Sequence, residues 1–331
     1  MNTRIFRRMA ALLLVLAMCA AFGCADQGAK KIAGYTLEKG GEGSSEMYPY
    51  IIRTPHATWH LAAADVELLG EKAFFAGLET MLKNQEADFA DACAALEGYL
   101  KDEIPVIDIH TDFAAQTERA KWNKAGAYYL GPDLGIYLYS GWAMTAYALL
   151  HEYAHYLTYE CCTFDLTPGG GFWAEAVAEY ISRFVCENRM GRAVQYGFDE
   201  ESLAQAKQRG LLDADGTVNA KKLYCFEAAF MRSGAAIGQV YSAVSETPIT
   251  LTERLVEHPM LTTISYPEAA SFFNWLVEKF GRDLVFKNMT IGQGDFEDVF
   301  GKEFEALFLE WAADNDAWCI ENGIVLGPME G

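Results

Sequence analysis

The feature that most constrains this chain is a pair of histidines around a glutamate, in the segment LLHEYAHYLTYECC over residues 149–162. Four residues advance an α-helix by about 400°, so His151 and His155 project from one face, about one turn apart. Two imidazoles at this spacing can hold one metal ion, and Glu152, about 100° further round the helix, can reach a water molecule beside the ion. The pattern indicates a zinc centre and requires a third ligand.

The sequence around the motif predicts a mixed α+β fold. Apolar periodicity predicts helices over 64–101, over 141–160 and from Phe172 to about 189. Residues 104–113 form a β-branched run typical of a central strand, and 125–140 read as two short strands around a turn. The motif helix therefore follows a group of strands, and most of the chain after it is expected to be helical.

Two residues compete for the third ligand position, because a catalytic zinc takes three protein ligands and keeps one position open. Cys161 lies six residues after His155, where another class of zinc enzymes places a histidine. That class needs a glycine three residues after the second histidine, and this chain has Thr158 there. If the helix continues, Cys161 points about 240° away from His155, which disfavours it. The other candidate is Glu175, twenty residues after His155.

HEYAH followed by FWAEAVAEY resembles the gluzincin branch of zinc metallopeptidases, of the peptidase-MA-like family. Their third ligand is the glutamate of a similar helix, and the resemblance implies that Glu175 holds the zinc. Ala176 stands where the family has a glycine. The likeness covers residues 126–180 and, loosely, 265–312. The matching positions of the second helix are Trp173, Glu175, Ala178 and Tyr180.

The resemblance implies a zincin-like fold, with a small mixed β-sheet, the HExxH helix and a mainly helical C-terminal lobe. The peptidase domain is expected over 47–331, with an α/β lobe to about 160 and a helical lobe over about 172–331. The implied activity is peptide-bond hydrolysis, with Glu152 as general base.

Further site residues follow from the same comparison. Gluzincins often place a polar group at the position of Glu179, where it would accept the second N–H of a ligand histidine; the alternative is a solvated surface acid. An edge strand precedes the motif helix in gluzincins, so the stretch of Gly126, Ala127, Tyr128 and Tyr129 is predicted to bind an extended peptide substrate. The alternative is a fully paired interior strand.

A group that stabilises the oxyanion is also required for hydrolysis. Tyr266, just before a helix predicted to begin at Pro267, is our choice, and Tyr241 and Arg232 are its rivals. Two alternatives to the enzyme are a zincin-fold lipoprotein that only binds its partner and a structural zinc site. Retention of Glu152 argues against the first, and the second needs four protein ligands.

The N-terminus predicts export. Residues 1–23 contain three arginines and then fourteen apolar residues, too few to span a bilayer and typical of a signal peptide. The ending AAFGC resembles a bacterial lipobox, which makes Cys24 the lipidation site and places the protein at the outer face of the cell membrane; a plainly secreted protein is the alternative. Residues 24–46 are polar and rich in Gly and Ser, which predicts a flexible tether.

Charge excludes one class of partner. The formal net charge is −20, and removal of residues 1–23 takes away three arginines and no acids, which moves it to −23. Such a surface repels nucleic acid.

Other residues receive structural interpretations. The remaining histidines lack a partner at metal spacing and are interpreted as surface or core residues: His56, His60, His110 and His258. The segment DADG at 213–216 is interpreted as a turn. The six cysteines after the signal show no regular spacing, which favours buried free thiols with at most one bridge.

Overall fold

A computed structural model describes residues 30–118, 120, 126–164, 166, 172–185, 200–232 and 266–326. The predicted signal peptide, the lipidation candidate Cys24, Tyr241 and His258 lie outside these residues. The described chain is a mixed α+β protein with a seven-stranded mixed sheet and a helical C-terminal region.

The sheet is built almost entirely from the first 140 residues. Its strands are β1 (Lys31–Ile32), β2 (Tyr35–Lys39), β3 (Tyr50–Arg53), β4 (Ala57–Leu61), β5 (Ile107–Thr111), β6 (Ala127–Tyr129) and β7 (Ile136–Leu138). The spatial order is β1-β2-β3-β4-β5-β7-β6. β5 pairs in parallel with both β4 and β7, and the other pairs are antiparallel. Within the described residues, β6 is therefore an edge strand.

Residues 31–39 of the predicted tether belong to the sheet. They form β1 and β2, and β2 pairs with β3 through Leu37 opposite Ile52. Arg53 donates a hydrogen bond of 2.6 Å to Glu38 across the same pair. Composition favoured a flexible segment, but pairing with the next strand satisfies its backbone groups and outweighs the local preference.

The two faces of the sheet differ in character because successive side chains on a strand point to opposite sides. Trp59, Ile109 and Ile136 are fully buried on the face that packs against helices. Their neighbours His60, His110 and Tyr137 lie on the other face. The predicted central strand is confirmed as β5.

The turn between β6 and β7 confirms the predicted hairpin. Leu130 N–H donates to the Gly135 carbonyl at 2.9 Å. Gly135 has a φ of 70°, and a Cβ there would overlap the carbonyl oxygen of Asp108 on the neighbouring strand. Only glycine fits this close approach.

Helices cover the buried face of the sheet. They are α1 (Ala63–Leu69), α2 (Glu71–Ala95), α3 (Trp142–Tyr156) and α4 (Phe172–Tyr180). The single helix predicted over 64–101 is two helices, separated at Gly70 with a φ of 77°. α3 and α4 each continue into a five-residue π-helical segment, Leu157–Cys161 and Ile181–Val185.

A buried glutamine fixes α3 on the sheet. The Gln85 side chain on α2 accepts a hydrogen bond of 2.9 Å from Trp59 Nε1 on β4. Its amide donates to the hydroxyl of Tyr153 on α3 at 3.0 Å. Because a buried polar group without a partner costs about 1–3 kcal/mol, these bonds specify how α3 sits against α2 and the sheet.

The C-terminal lobe consists of α5 (Glu200–Gln208), α6 (Ala220–Arg232), α7 (Tyr266–Phe280), α8 (Arg282–Lys287), α9 (Phe296–Phe300) and α10 (Phe304–Glu321). α7 packs against α4 and α6. Trp173 at the start of α4 donates from Nε1 to the Ile291 carbonyl at 2.9 Å and stacks on Phe296. The lobe thereby holds α4 in place beside α3.

Two smaller predictions are also confirmed. Gly216 N–H donates to the Asp213 carbonyl at 2.9 Å, so the DADG segment is a turn. Within the described part of the chain the cysteines are free thiols: Cys93, Cys161, Cys162, Cys225 and Cys319.

Candidate metal centre

The last turns of α3 and the first turns of α4 face each other and bring together three predicted ligands. His151 and His155 are mostly buried on one face of α3, as their spacing predicts. Glu175 projects from α4, which packs against α3. The helical lobe positions this carboxylate through the anchored Trp173 side chain.

The three ligand atoms form a compact triangle. His151 Nε2 lies 3.0 Å from His155 Nε2 and 3.1 Å from Glu175 Oε2. His155 Nε2 lies 3.3 Å from the same Glu175 oxygen. Atoms about 2.05 Å from a tetrahedral zinc lie about 3.3 Å apart. The triangle therefore has the dimensions of three zinc ligands with one coordination position left open.

A second contact suits His151 for metal binding. Its Nδ1 lies 2.8 Å from Glu179 Oε1, and a carboxylate at this position orients a ligand imidazole. The Nε2 atom of His151 faces the triangle, next to a carboxylate oxygen of Glu175.

Glu175 is charged in this setting. Burial alone would raise its pKa, but hydrogen bonds and charge interactions with His151 and His155 hold the pKa of this carboxyl well below its usual range. A permanently ionised carboxylate beside two imidazoles is a suitable zinc donor set.

Glu179 orients His151 and connects it to a buried arginine. The Glu179 side chain is 2% exposed, and its second oxygen accepts a hydrogen bond from Arg183 Nε. Arg183 also lies 3.4 Å from Glu227 and 4.3 Å over the ring of Tyr224. The predicted contact of Glu179 with a motif histidine is present, and the surface-acid alternative is wrong.

The π-helical segment after α3 explains the position of Cys161. Thr158 Oγ1 donates to the Ala154 carbonyl at 2.7 Å, so the helix continues where a glycine would turn it back. His155 instead stacks on Tyr159, with the ring centroids 5.2 Å apart. Cys161 is fully buried away from the triangle, and burial raises the pKa of its thiol. Among the described residues it is not part of the ligand group, as predicted.

Glu152 lies between the metal centre and the edge strand. Its Oε2 accepts a hydrogen bond of 2.7 Å from the backbone N–H of Tyr129 on β6. The side chain is 7% exposed, so the backbone of the edge strand holds the carboxylate in a defined position. The sequence indicated both residues but not this contact.

The edge position of β6 confirms one part of the predicted substrate strand. The Gly126 carbonyl accepts a hydrogen bond from the Tyr139 N–H at one end of the β6–β7 pair. At the other end, the Leu130 N–H donates to the Gly135 carbonyl. Because antiparallel partners alternate between bonded and non-bonded pairs, the backbone of Tyr128 also faces β7. The backbone groups of Ala127 and Tyr129 face the open edge.

Tyr266 begins α7 close to the metal centre. Its ring meets the His151 ring edge-on, with centroids 5.8 Å apart, and its side chain is 49% exposed. Burial, followed by the charges of Glu175 and Glu152, raises the pKa of Tyr266 to about 12, so its hydroxyl is protonated at neutral pH. Of the rivals, the Arg232 side chain and all of Tyr241 lie outside the described residues.

A second group of side chains that could hold a metal ion corrects the interpretation of two histidines. His60, Asp108 and His110 lie together on the open face of the sheet, with ligand atoms within 4.8 Å of one another. The prediction that His60 and His110 lack such partners is wrong, because pairing of β4 with β5 joins residues fifty positions apart.

Sequence reasoning also missed Arg183, although it lies four residues after Glu179 on one helix, a spacing that signals an ion pair.

Comparison of the chain with protein-family models, with curated proteins and with solved structures finds no match. Among the described residues, no helix combines the length and apolar character needed to cross a bilayer.

Proposed function

We propose that this protein is a zinc-dependent peptidase of the gluzincin type, with a zincin-like fold. The observation that carries the proposal is the convergence of His151 Nε2, His155 Nε2 and Glu175 Oε2 within 3.3 Å, with Glu152 on the same helix as the two histidines. These three residues would hold the zinc ion. A bound zinc would polarise the scissile carbonyl and lower the pKa of water to about 7.

The chain's own residues have separate roles in this reaction. Glu152, held by the Tyr129 N–H, accepts a proton from the attacking water and passes it to the leaving amine. Glu179 keeps His151 in the tautomer whose Nε2 faces the metal. Tyr266, protonated at neutral pH, donates a hydrogen bond to the developing oxyanion.

The edge strand supports a peptide as the substrate. The outward-facing N–H and C=O of Ala127 and the C=O of Tyr129 offer a site where an extended peptide adds as another strand, whereas the Tyr129 N–H is engaged by Glu152. The Glu152 carboxylate contacts this same edge, so a peptide on β6 would have its scissile bond near the general base. Neither a sugar nor a phosphate ester has the regular N–H and C=O pattern that such an edge selects.

We also propose that the protein works at the outer face of a bacterial membrane, anchored through a lipid on Cys24. The basic, apolar signal over residues 1–23 supports export, and the lipobox-like AAFGC supports the anchor.

Cleavage of a peptide library by the purified full chain, with and without chelator, tests the activity. Glu152→Gln should retain zinc and fold but lose most turnover, because an amide cannot accept the proton from water. Near-normal hydrolysis by Glu152→Gln would refute the mechanism. A wild-type protein with a full equivalent of zinc and no turnover on any peptide would support the binding-protein alternative instead.

A further inference from the structure

The open face of the sheet carries three metal-binding side chains on two central strands. His60 lies on β4, directly opposite His110 on the parallel strand β5. Asp108 lies two residues before His110, so its side chain projects from the same face. All three lie opposite the face that packs against α2 and α3, and this group is separate from the HExxH centre.

The spacing suits a metal ion. Directly opposed residues on neighbouring strands have Cβ atoms about 5 Å apart, and residues i and i+2 on one strand share a face. His60 and His110 lie with their rings 4.5 Å apart and nearly parallel, at 13°. His60 Nε2 is 2.9 Å from Asp108 Oδ1. The donor atoms of the two imidazoles and the carboxylate therefore lie within 4.8 Å of one another, although the stacked rings do not point them at one common position.

The surroundings hold the histidines but leave access for an ion. His110 stacks on Tyr137 at 4.5 Å, and Tyr48 packs edge-on against His110 at 5.0 Å. The His60 side chain is 12% exposed, whereas Asp108 is 53% exposed. An ion can approach from the side of Asp108, and the net charge of −20 favours cations near this surface.

The side chains of this group must turn to bind a metal. Their donor atoms lie within 4.8 Å of one another, whereas ligands of a tetrahedral zinc lie about 3.3 Å apart. Rotation of the exposed Asp108 side chain and of the His60 ring out of its stack would bring the donor atoms closer together.

We infer that His60, Asp108 and His110 form a second binding site for a divalent transition-metal ion such as zinc. Two imidazoles and one carboxylate are a donor set for first-row metals rather than for calcium or magnesium, which prefer oxygen ligands alone. The remaining coordination positions face the solvent side of the sheet, where water or a partner's side chain completes them.

Zinc titration of a full-length variant without the first centre tests this inference. Replacement of His151, His155 and Glu175 by Ala removes the first centre, and the remaining protein should still bind one equivalent of Zn²⁺ in a calorimetric titration. Adding His60→Ala and His110→Ala should abolish that equivalent. Because the first centre is already absent, the result does not depend on the proposed peptidase activity.

A matched control uses another histidine. His56 pairs with Glu86 and stacks on Phe89, away from both groups, so His56→Ala should keep the second equivalent. The inference would be overturned if the protein still bound this Zn²⁺ equivalent after loss of His60 and His110. It would also be overturned if the variant without the first centre bound no Zn²⁺.

A second measurement covers the case in which the multiple variants do not fold. Asp108→Asn changes a largely exposed side chain and should leave the fold intact. In the otherwise unaltered protein, Co²⁺ titration followed by visible absorbance should show two equivalents for the wild type, and the second should bind at least about 10-fold more weakly in Asp108→Asn. Equal titration curves for the two proteins would contradict the site.

Discussion

Replacing Glu179 by glutamine separates its two contacts, one with His151 and one with Arg183. The Glu179 carboxylate is 2% exposed and lies 2.8 Å from His151 Nδ1. Glutamine keeps the shape but removes the charge that fixes the histidine tautomer. Loss of such a partner weakens metal binding by about 10- to 100-fold, so we expect the zinc Kd to rise by that factor.

The same change also affects stability, through Arg183. Removing one partner of a buried ion pair costs about 3–5 kcal/mol when the remaining charge has no other partner. Arg183 keeps Glu227 at 3.4 Å and the ring of Tyr224, and a glutamine oxygen still accepts one hydrogen bond. We therefore expect a loss of about 2 kcal/mol in the metal-free protein, roughly half the full cost.

Two measurements distinguish the contacts. Competition with a chromophoric chelator gives the zinc Kd, and urea denaturation of the metal-free protein gives the free energy of unfolding. The double variant Glu179→Gln with Arg183→Gln should keep the weakened zinc affinity, because it does not restore the carboxylate beside His151. Glu227→Gln, which touches Arg183 and not His151, is the control and should leave zinc affinity unchanged. A Glu179→Gln protein that loses stability but binds zinc within about twofold of wild type would refute a role in orienting His151.

Four further variants test the edge strand, a buried acid and the anchor. Ala127→Pro removes an N–H that faces away from β7, so it should raise the KM for peptides while circular dichroism shows that the fold is retained. Tyr128→Pro breaks the pairing with β7 and should instead lower stability. Unchanged peptide kinetics in a folded Ala127→Pro protein would contradict substrate binding on β6. Burial raises the pKa of Asp65, and this effect outweighs the hydrogen bonds that the carboxylate accepts from residues 111–114. The folded state therefore binds the Asp65 proton more tightly than the unfolded state does. Stability falls as the pH rises from the pKa of the unfolded state through the pKa of the folded state. Asp65→Asn should therefore raise the melting temperature at pH 7, and the gain should disappear below about pH 4, where both states are protonated; an equal gain at pH 3 would contradict this cause. Metabolic labelling with a radioactive fatty acid should mark the wild type and not Cys24→Ser, and an unlabelled wild-type protein would show a plain secretory signal.

Local spacing was sufficient to predict the helix that carries the candidate metal ligands. His151, Glu152 and His155 lie within one turn, and helix geometry alone places the two imidazoles on one face. Glu175 and Glu179 were proposed because FWAEAVAEY resembles a gluzincin helix, and Tyr266 because it stands at the start of a predicted helix. In each case the informative residues are close together in the chain.

The tertiary structure decided the contacts that join distant segments. The segment over 30–46 has the composition of a flexible linker, yet residues 31–39 form β1 and β2 because β3 pairs with β2. The contact of Tyr129 N–H with Glu152 depends on which side of β6 pairs with β7.

His60 and His110 show the same limit of local patterns. They are fifty residues apart and carry no local signal, and only the parallel pairing of β4 with β5 in one register places them opposite each other. A shift of one residue would turn every side chain of β4 to the other face, so His60 would be buried against the helices and the second group of ligands would not exist. Strand register is set by burial of Trp59 and Ile109 on the far side of the sheet, a constraint that exists only once the whole core has assembled.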